Sequence, residues 1–143
     1  MSATYDTDFY AWANEQTALL RAGKLKEADI VHIAEEIESM GKTEKRELIN
    51  RLGVLLVHLL KWKYQPNLRG RSWLLTIKAQ RNQLADHLED NPSLKAKLAE
   101  IVASAYRDAR IMTAKETPLD EDDFPDACPW TFEQAMDAEF WPE

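Results

Sequence analysis

Two Arg–His pairs stand at short, helix-compatible intervals in this chain. Arg51 precedes His58 with six residues between them, and Arg81 precedes His87 with five. Metal-independent helical ribonucleases use such a pair: the imidazole exchanges a proton with the ribose hydroxyl or leaving oxygen, and the guanidinium neutralises the phosphate. Arg51 and His58 would share one face of a straight helix, two turns apart. The stretch around His58 is strongly apolar, however, which also suits a hydrogen-bonded core histidine.

A second chemistry is offered by residues 61–81, where Lys61, Lys63, Arg69, Arg71, Lys78 and Arg81 occur without a single acid. Trp62, Tyr64 and Trp73 are interleaved with them. Cations that pair with phosphates beside rings that stack on bases make a polyanion or single-stranded RNA site. Against this, residues 116–143 hold 10 acids and no base. That stretch could cover the basic face and leave the aromatics as core, so nucleic acid is not the favoured partner.

Metal and nucleophile chemistry find less support. Asp29, His32, Glu35 and Glu36 recur at three- and four-residue spacing, but Glu-x-x-His, the helical di-iron motif, is absent. No metal and no cofactor is therefore expected. Cys128 lies between Ala127 and Pro129 with nothing nearby to activate a thiol. Four glycines supply no Gly-x-Ser-x-Gly elbow and no phosphate-cradling loop.

The elements that must position these residues are helices. Scarce glycine and a 3.6-residue apolar period predict an all-α, compact helical bundle of about five helices plus a short C-terminal one. The first runs from Asp6 or Thr7 to about Ala22, with Gly23 as its stop. The second, capped by Asp29, turns Ile30, Ile33, Ala34, Ile37 and Met40 inward and is ended or kinked by Gly41. The third runs from about Thr43 to Tyr64 and is the central, most buried helix. The fourth spans about Ser72 to Asp90 on Trp73, Ile77, Leu84 and Leu88. A fifth, capped by Asn91, reaches about Glu116 on Leu94, Leu98, Ile101, Val102, Ala105, Ala109 and Met112. Thr131 and Gln134 form the capping box of the last.

The chain of 143 residues reads as one domain, with 117–143 as an acidic, Pro-containing extension packed on the bundle through Phe124, Trp130, Phe132 and Phe140. Net charge is −7, against nonspecific nucleic-acid binding by the whole surface. A lone cysteine excludes an intrachain disulfide. The first twenty residues carry Asp6, Asp8 and Glu15 but no base, unlike a leader peptide. The apolar run Leu52 to Leu60 is too short to span a membrane. A cytoplasmic protein with no membrane association is expected.

Several strings together resemble one bacterial family. They are Tyr5-Asp6-x-Asp8-Phe9-Tyr10-Ala11-Trp12, Glu35-Glu36-Ile37-Glu38-x-Met40-Gly41, His58-Leu59-Leu60-Lys61-Trp62-x-Tyr64-Gln65-Pro66, Arg71-Ser72-Trp73, Pro92-Ser93-Leu94 and Phe124-Pro125-x-x-Cys128-Pro129. The pattern is similar, over nearly the whole chain, to domain of unknown function twenty-nine, found in cyanobacteria and proteobacteria. The resemblance implies a helical bundle and no particular activity. It also implies a polar amide where His32 stands. The reading is thus mainly a protein–protein interaction module, with enzymatic activity left open but not favoured, an unidentified protein partner and a homodimer left open. The alternative is an RNA-binding protein or ribonuclease using the Arg–His pairs.

Overall fold

Capping chemistry sets the first helix. Asp8 accepts a hydrogen bond from the Ala11 N–H at 3.1 Å, and α1 runs Phe9–Arg21, two residues shorter at its start than the sequence suggests. Gly23 then takes φ +73°, where a side chain would be strained. The structure, a computed structural model, describes residues 4–143.

The next helix departs from expectation. Gly41 does not end it, and no new helix begins at Thr43; α2 is one continuous element, Ile30–Tyr64, of 35 residues. A glycine inside a helix costs only about 1 kcal/mol relative to alanine. The Thr43 hydroxyl, expected near a new start, donates instead to Ser39 O at 3.0 Å within the ongoing helix. The bundle therefore has four long helices and a short one, not five and a short one.

Beyond Pro66, α3 spans Arg71–Asp90. Asn91 does not cap an α-helix as expected. Its amide donates back to His87 O at 3.1 Å, and Pro92–Lys97 forms a tighter 3-10 segment before α4, Leu98–Glu116. The short α5, Phe132–Met136, opens on the reciprocal box of Thr131 and Gln134. No strand occurs among the described residues. No helix among them is long and apolar enough to cross a membrane.

The chain divides into two compact units, one ending at Thr43 and the other Glu44–Glu143. In the larger unit, Leu48, Leu52, Leu55, Leu56, Leu59 and Leu60 of α2 are essentially inaccessible. They pack with Ile77 and Leu84 of α3 and Ile101, Ala105 and Ala109 of α4. Phe124 and Trp130 of the C-terminal stretch are buried in the same core, with Phe132 and Phe140 against it. The Tyr106 hydroxyl donates to Pro125 O at 2.6 Å. Met112, expected on the inner stripe of α4, is instead 44% exposed.

The smaller unit is built differently. Among its described residues only Trp12 and Gln16 are buried. The face of α2 turned to α1 is polar: His32 and Glu36 lie there beside the cap residue Asp29. The apolar stripe expected to be its core lies outside, with Ile30 54%, Ile37 64% and Met40 66% exposed.

Three substitutions test this account. Leu56→Ala should cost about 2–5 kcal/mol in denaturant unfolding, the range for emptying a packed leucine site; a loss under about 1 kcal/mol would mean that α2 is not central. Space is open around a methyl group at either Gly41 or Gly23, so backbone conformation alone decides. Gly41→Ala should stabilise by up to about 1 kcal/mol and Gly23→Ala should destabilise. Equal effects would contradict a continuous α2.

Candidate functional site

The end of the chain reaches part of the basic segment, burying Arg81 and bonding Arg69, while the acids at 120–126 turn elsewhere. Arg81 is buried, donating from Nε to Ala135 O and from Nη2 to Phe140 O, each at 2.8 Å. Its guanidinium lies 5.2 Å from the centre of the Trp141 ring. Arg69 donates to Trp62 O at 2.5 Å and to Pro142 O at 3.3 Å, and Trp62 packs on Trp141 with 4.8 Å between ring centres. Lys61 pairs with Glu116 at 3.2 Å and lies over Trp73, and Lys63 lies over Tyr64. Arg69, Arg71 and Lys78 are exposed. The acids meet a residue outside the segment: Arg110 donates to Glu121 O at 3.1 Å and Asp126 Oδ1 at 3.3 Å.

Neither sequence-spaced Arg–His pair engages a common group. The Nδ1–H of His58 donates to Val54 O of its own helix at 2.8 Å, and burial pushes this imidazole below the ordinary histidine value. Arg81 lies under the C-terminal carbonyls, away from the groove that holds His87. Instead the fold brings Arg51 and His87 together. Both line an open groove of about 600 Å³ with Glu44, Glu47, Gln83 and Asp86. Arg51 donates to Glu47 Oε1 from Nε at 3.1 Å and Nη2 at 2.8 Å, and Nη1 reaches Gln83. His87, nine-tenths buried, bonds through Nε2 to Glu44 O at 2.8 Å. Glu44, Glu47 and His87 are the described residues that could jointly hold a cation. Motif spacing along one helix misses them because the carboxylates come from α2 and the imidazole from α3.

The spaced set Asp29, His32, Glu35 and Glu36 has a different role. Asp29 Oδ2 lies 2.7 Å from His32 Nδ1 and accepts from Trp12 Nε1 at 3.0 Å. The Asp29 N–H donates to Gln16 Oε1 at 2.7 Å, Tyr5 donates to Glu36, and the Tyr5 ring stacks on His32 at 4.2 Å. These bonds are the interior of the smaller unit and already engage Asp29 and Glu36, while Glu35 is exposed. Cys128 is half-buried and burial raises its thiol, the reverse of activation.

The family model described as domain of unknown function DUF29 matches residues 4–141. No curated protein and no solved structure matches the chain.

The Asp29–His32 pair carries a pH signature. The hydrogen bond that His32 donates to Asp29 holds its imidazole above the ordinary histidine value, with burial opposing it. The same bond holds Asp29 below the ordinary carboxylate range. The His32 contribution to stability is complete below about pH 6.5 and is lost as pH rises through the raised value; that of Asp29 is present above about pH 3.9 and is lost as pH falls through the lowered one. In an NMR titration His32 should titrate above about 6.5, and Asp29→Asn should bring it back. An unshifted His32 in the wild type would refute the pairing.

Proposed function

The chain belongs to the DUF29 family, whose description carries no reaction, and we propose that it acts as a protein-interaction module docking through the N-terminal part of α2. One observation carries this reading: Ile30, Ile37 and Met40 follow the helical period yet are more than half exposed, and Val31 beside them is 69% exposed. Phe9, Tyr10, Leu20 and Leu25 add exposed apolar surface in the same short unit. Scattered exposed hydrophobics need no explanation, but a contiguous stripe favours a partner. A segment of this length has little capacity to bury apolar surface by itself.

The partner's chemistry follows from the stripe's borders. Glu27, Glu35 and Glu38 flank it and are exposed. A second copy aligned along this face, in either direction, would bring the middle carboxylates close to their own kind, which disfavours the pairing. An amphipathic helix edged with lysine or arginine would present opposite charge and an apolar face together, the helix-in-groove mode of recognition. A polyanion reading of residues 61–81 gains no such support, since Arg81, Arg69 and Lys61 already hold protein groups.

The test uses a fluorescent amphipathic peptide of leucine and lysine, with a leucine–glutamate peptide as control. The lysine peptide should bind, more weakly at high salt, and the glutamate peptide should not. Ile37→Asp and Met40→Asp should each weaken binding at least about tenfold, as for a central apolar contact, with the helical circular dichroism unchanged. Equal binding of both peptides, or self-association abolished by the same substitutions, would overturn this reading.

A further inference from the structure

The groove between α2 and α3 carries an inference separate from the docking face. Glu44 and Glu47 are three residues apart on α2 and so project to the same side. His87 reaches them from α3, and one ligand atom from each of the three lies within 4.8 Å of the others. The tautomer of the ring is set by its neighbour. With Nε2 at 2.8 Å from the Glu44 carbonyl, which can only accept, Nε2 carries the hydrogen. The other nitrogen, Nδ1, then presents a lone pair towards Glu47 Oε2 at 3.8 Å, beyond hydrogen-bonding reach. Two electron-pair donors face one another there, on a side chain nine-tenths buried. A cation between them makes that arrangement attractive.

The surroundings match those of a ligand set. A metal-bound histidine usually donates its second nitrogen to a carbonyl or carboxylate, as His87 does. Ligating carboxylates are themselves held by hydrogen bonds, and Arg51 fixes Glu47 by its Oε1 while leaving Oε2 turned to the imidazole. Glu44 Oε2 lies 3.5 Å from His87 Nε2 and accepts from Asn91 Nδ2 at 3.5 Å, and the Glu44 side chain is exposed. Bond lengths of about 2.0–2.2 Å require the three donor atoms to draw together by less than about 1 Å. The groove is open on its solvent side, which leaves coordination positions for water.

We propose that Glu44, Glu47 and His87 form a binding site for a divalent transition-metal ion. One imidazole nitrogen with two carboxylates suits zinc, manganese or cobalt, whereas calcium and magnesium take oxygen ligands. Arg51 is a positioning residue that orients Glu47. The competing occupant is a proton on Nδ1, which would make the ring a cation paired with Glu47 and leave nothing for a metal to bind.

Calorimetric titration of the full chain with zinc chloride, and separately manganese, magnesium and calcium chlorides, distinguishes the two. The expected result is one saturable zinc or manganese site, with magnesium and calcium much weaker. Glu47→Gln and Glu44→Gln should each weaken it about ten- to a hundredfold, and Arg51→Met by a smaller factor. Glu44→Gln keeps the backbone carbonyl bonded to His87, so it reports on ligation even if His87→Gln unfolds. The visible absorption of added cobalt(II) should likewise be lost in Glu44→Gln. No saturable binding by the wild type, or binding that both glutamine variants leave unchanged, overturns the proposal.

Discussion

A buried guanidinium with no ion pair among the described residues needs neutral oxygens for its N–H groups, and the C-terminal stretch of this protein supplies two of them, leaving Nη1 without a partner. Arg81 takes the carbonyls of Ala135, inside α5, and of Phe140, beyond its end, and the Trp141 ring covers its face. Arg69 extends the same device to Pro142. Trp62 and Trp141 can meet only because the chain is drawn back to this point. The acidic residues on the way are displaced to Arg110, and Tyr106 secures the Pro125 corner. The composition of the basic segment thus has a structural use: long cationic side chains can reach the carbonyls of an irregular segment that offers no ladder of its own.

Much of the architecture was legible in the amino-acid pattern, for physical reasons. Leu52 to Leu60 is apolar on nearly every side, and only burial suits such a helix. Asp8, Gly23, Thr131 and Gln134 act through their own nearest neighbours, so their roles can be read without tertiary knowledge. Gly41 could not be read this way. Its cost inside a helix is small enough for the flanking turns to override, and whether it ends a helix depends on contacts that no local rule contains. Asn91 failed for the same reason, since its amide turned back to His87 O.

The inverted face of the N-terminal unit has a more specific cause. Periodicity tells which residues share a side of a helix and does not tell which side is covered. Here aromatic residues with polar tips, Tyr5 and Trp12, find their partners on α2 at Glu36 and Asp29, and these bonds select the polar side as the inner one. Likewise, the sequence intervals Arg51–His58 and Arg81–His87 offered pairs along a helix, while the fold joins members of different pairs across two helices. Proximity across helices has no signature in spacing along one.

An interior made of directed bonds instead of apolar contact responds differently to its surroundings. Hydrophobic burial is what gives unfolding its large heat capacity and its steep response to denaturant. The unit containing α1 buries Trp12 and little else, so its opening exposes little new apolar area. Its local opening should therefore respond only weakly to urea and carry a small heat-capacity change, with its backbone amides exchanging through a separate, shallow opening reaction. The leucine core of Glu44–Glu143 behaves in the opposite way, releasing its amides only in a steep, cooperative event. One chain therefore holds two regions that differ in what drives them open, and a single melting temperature describes only the second.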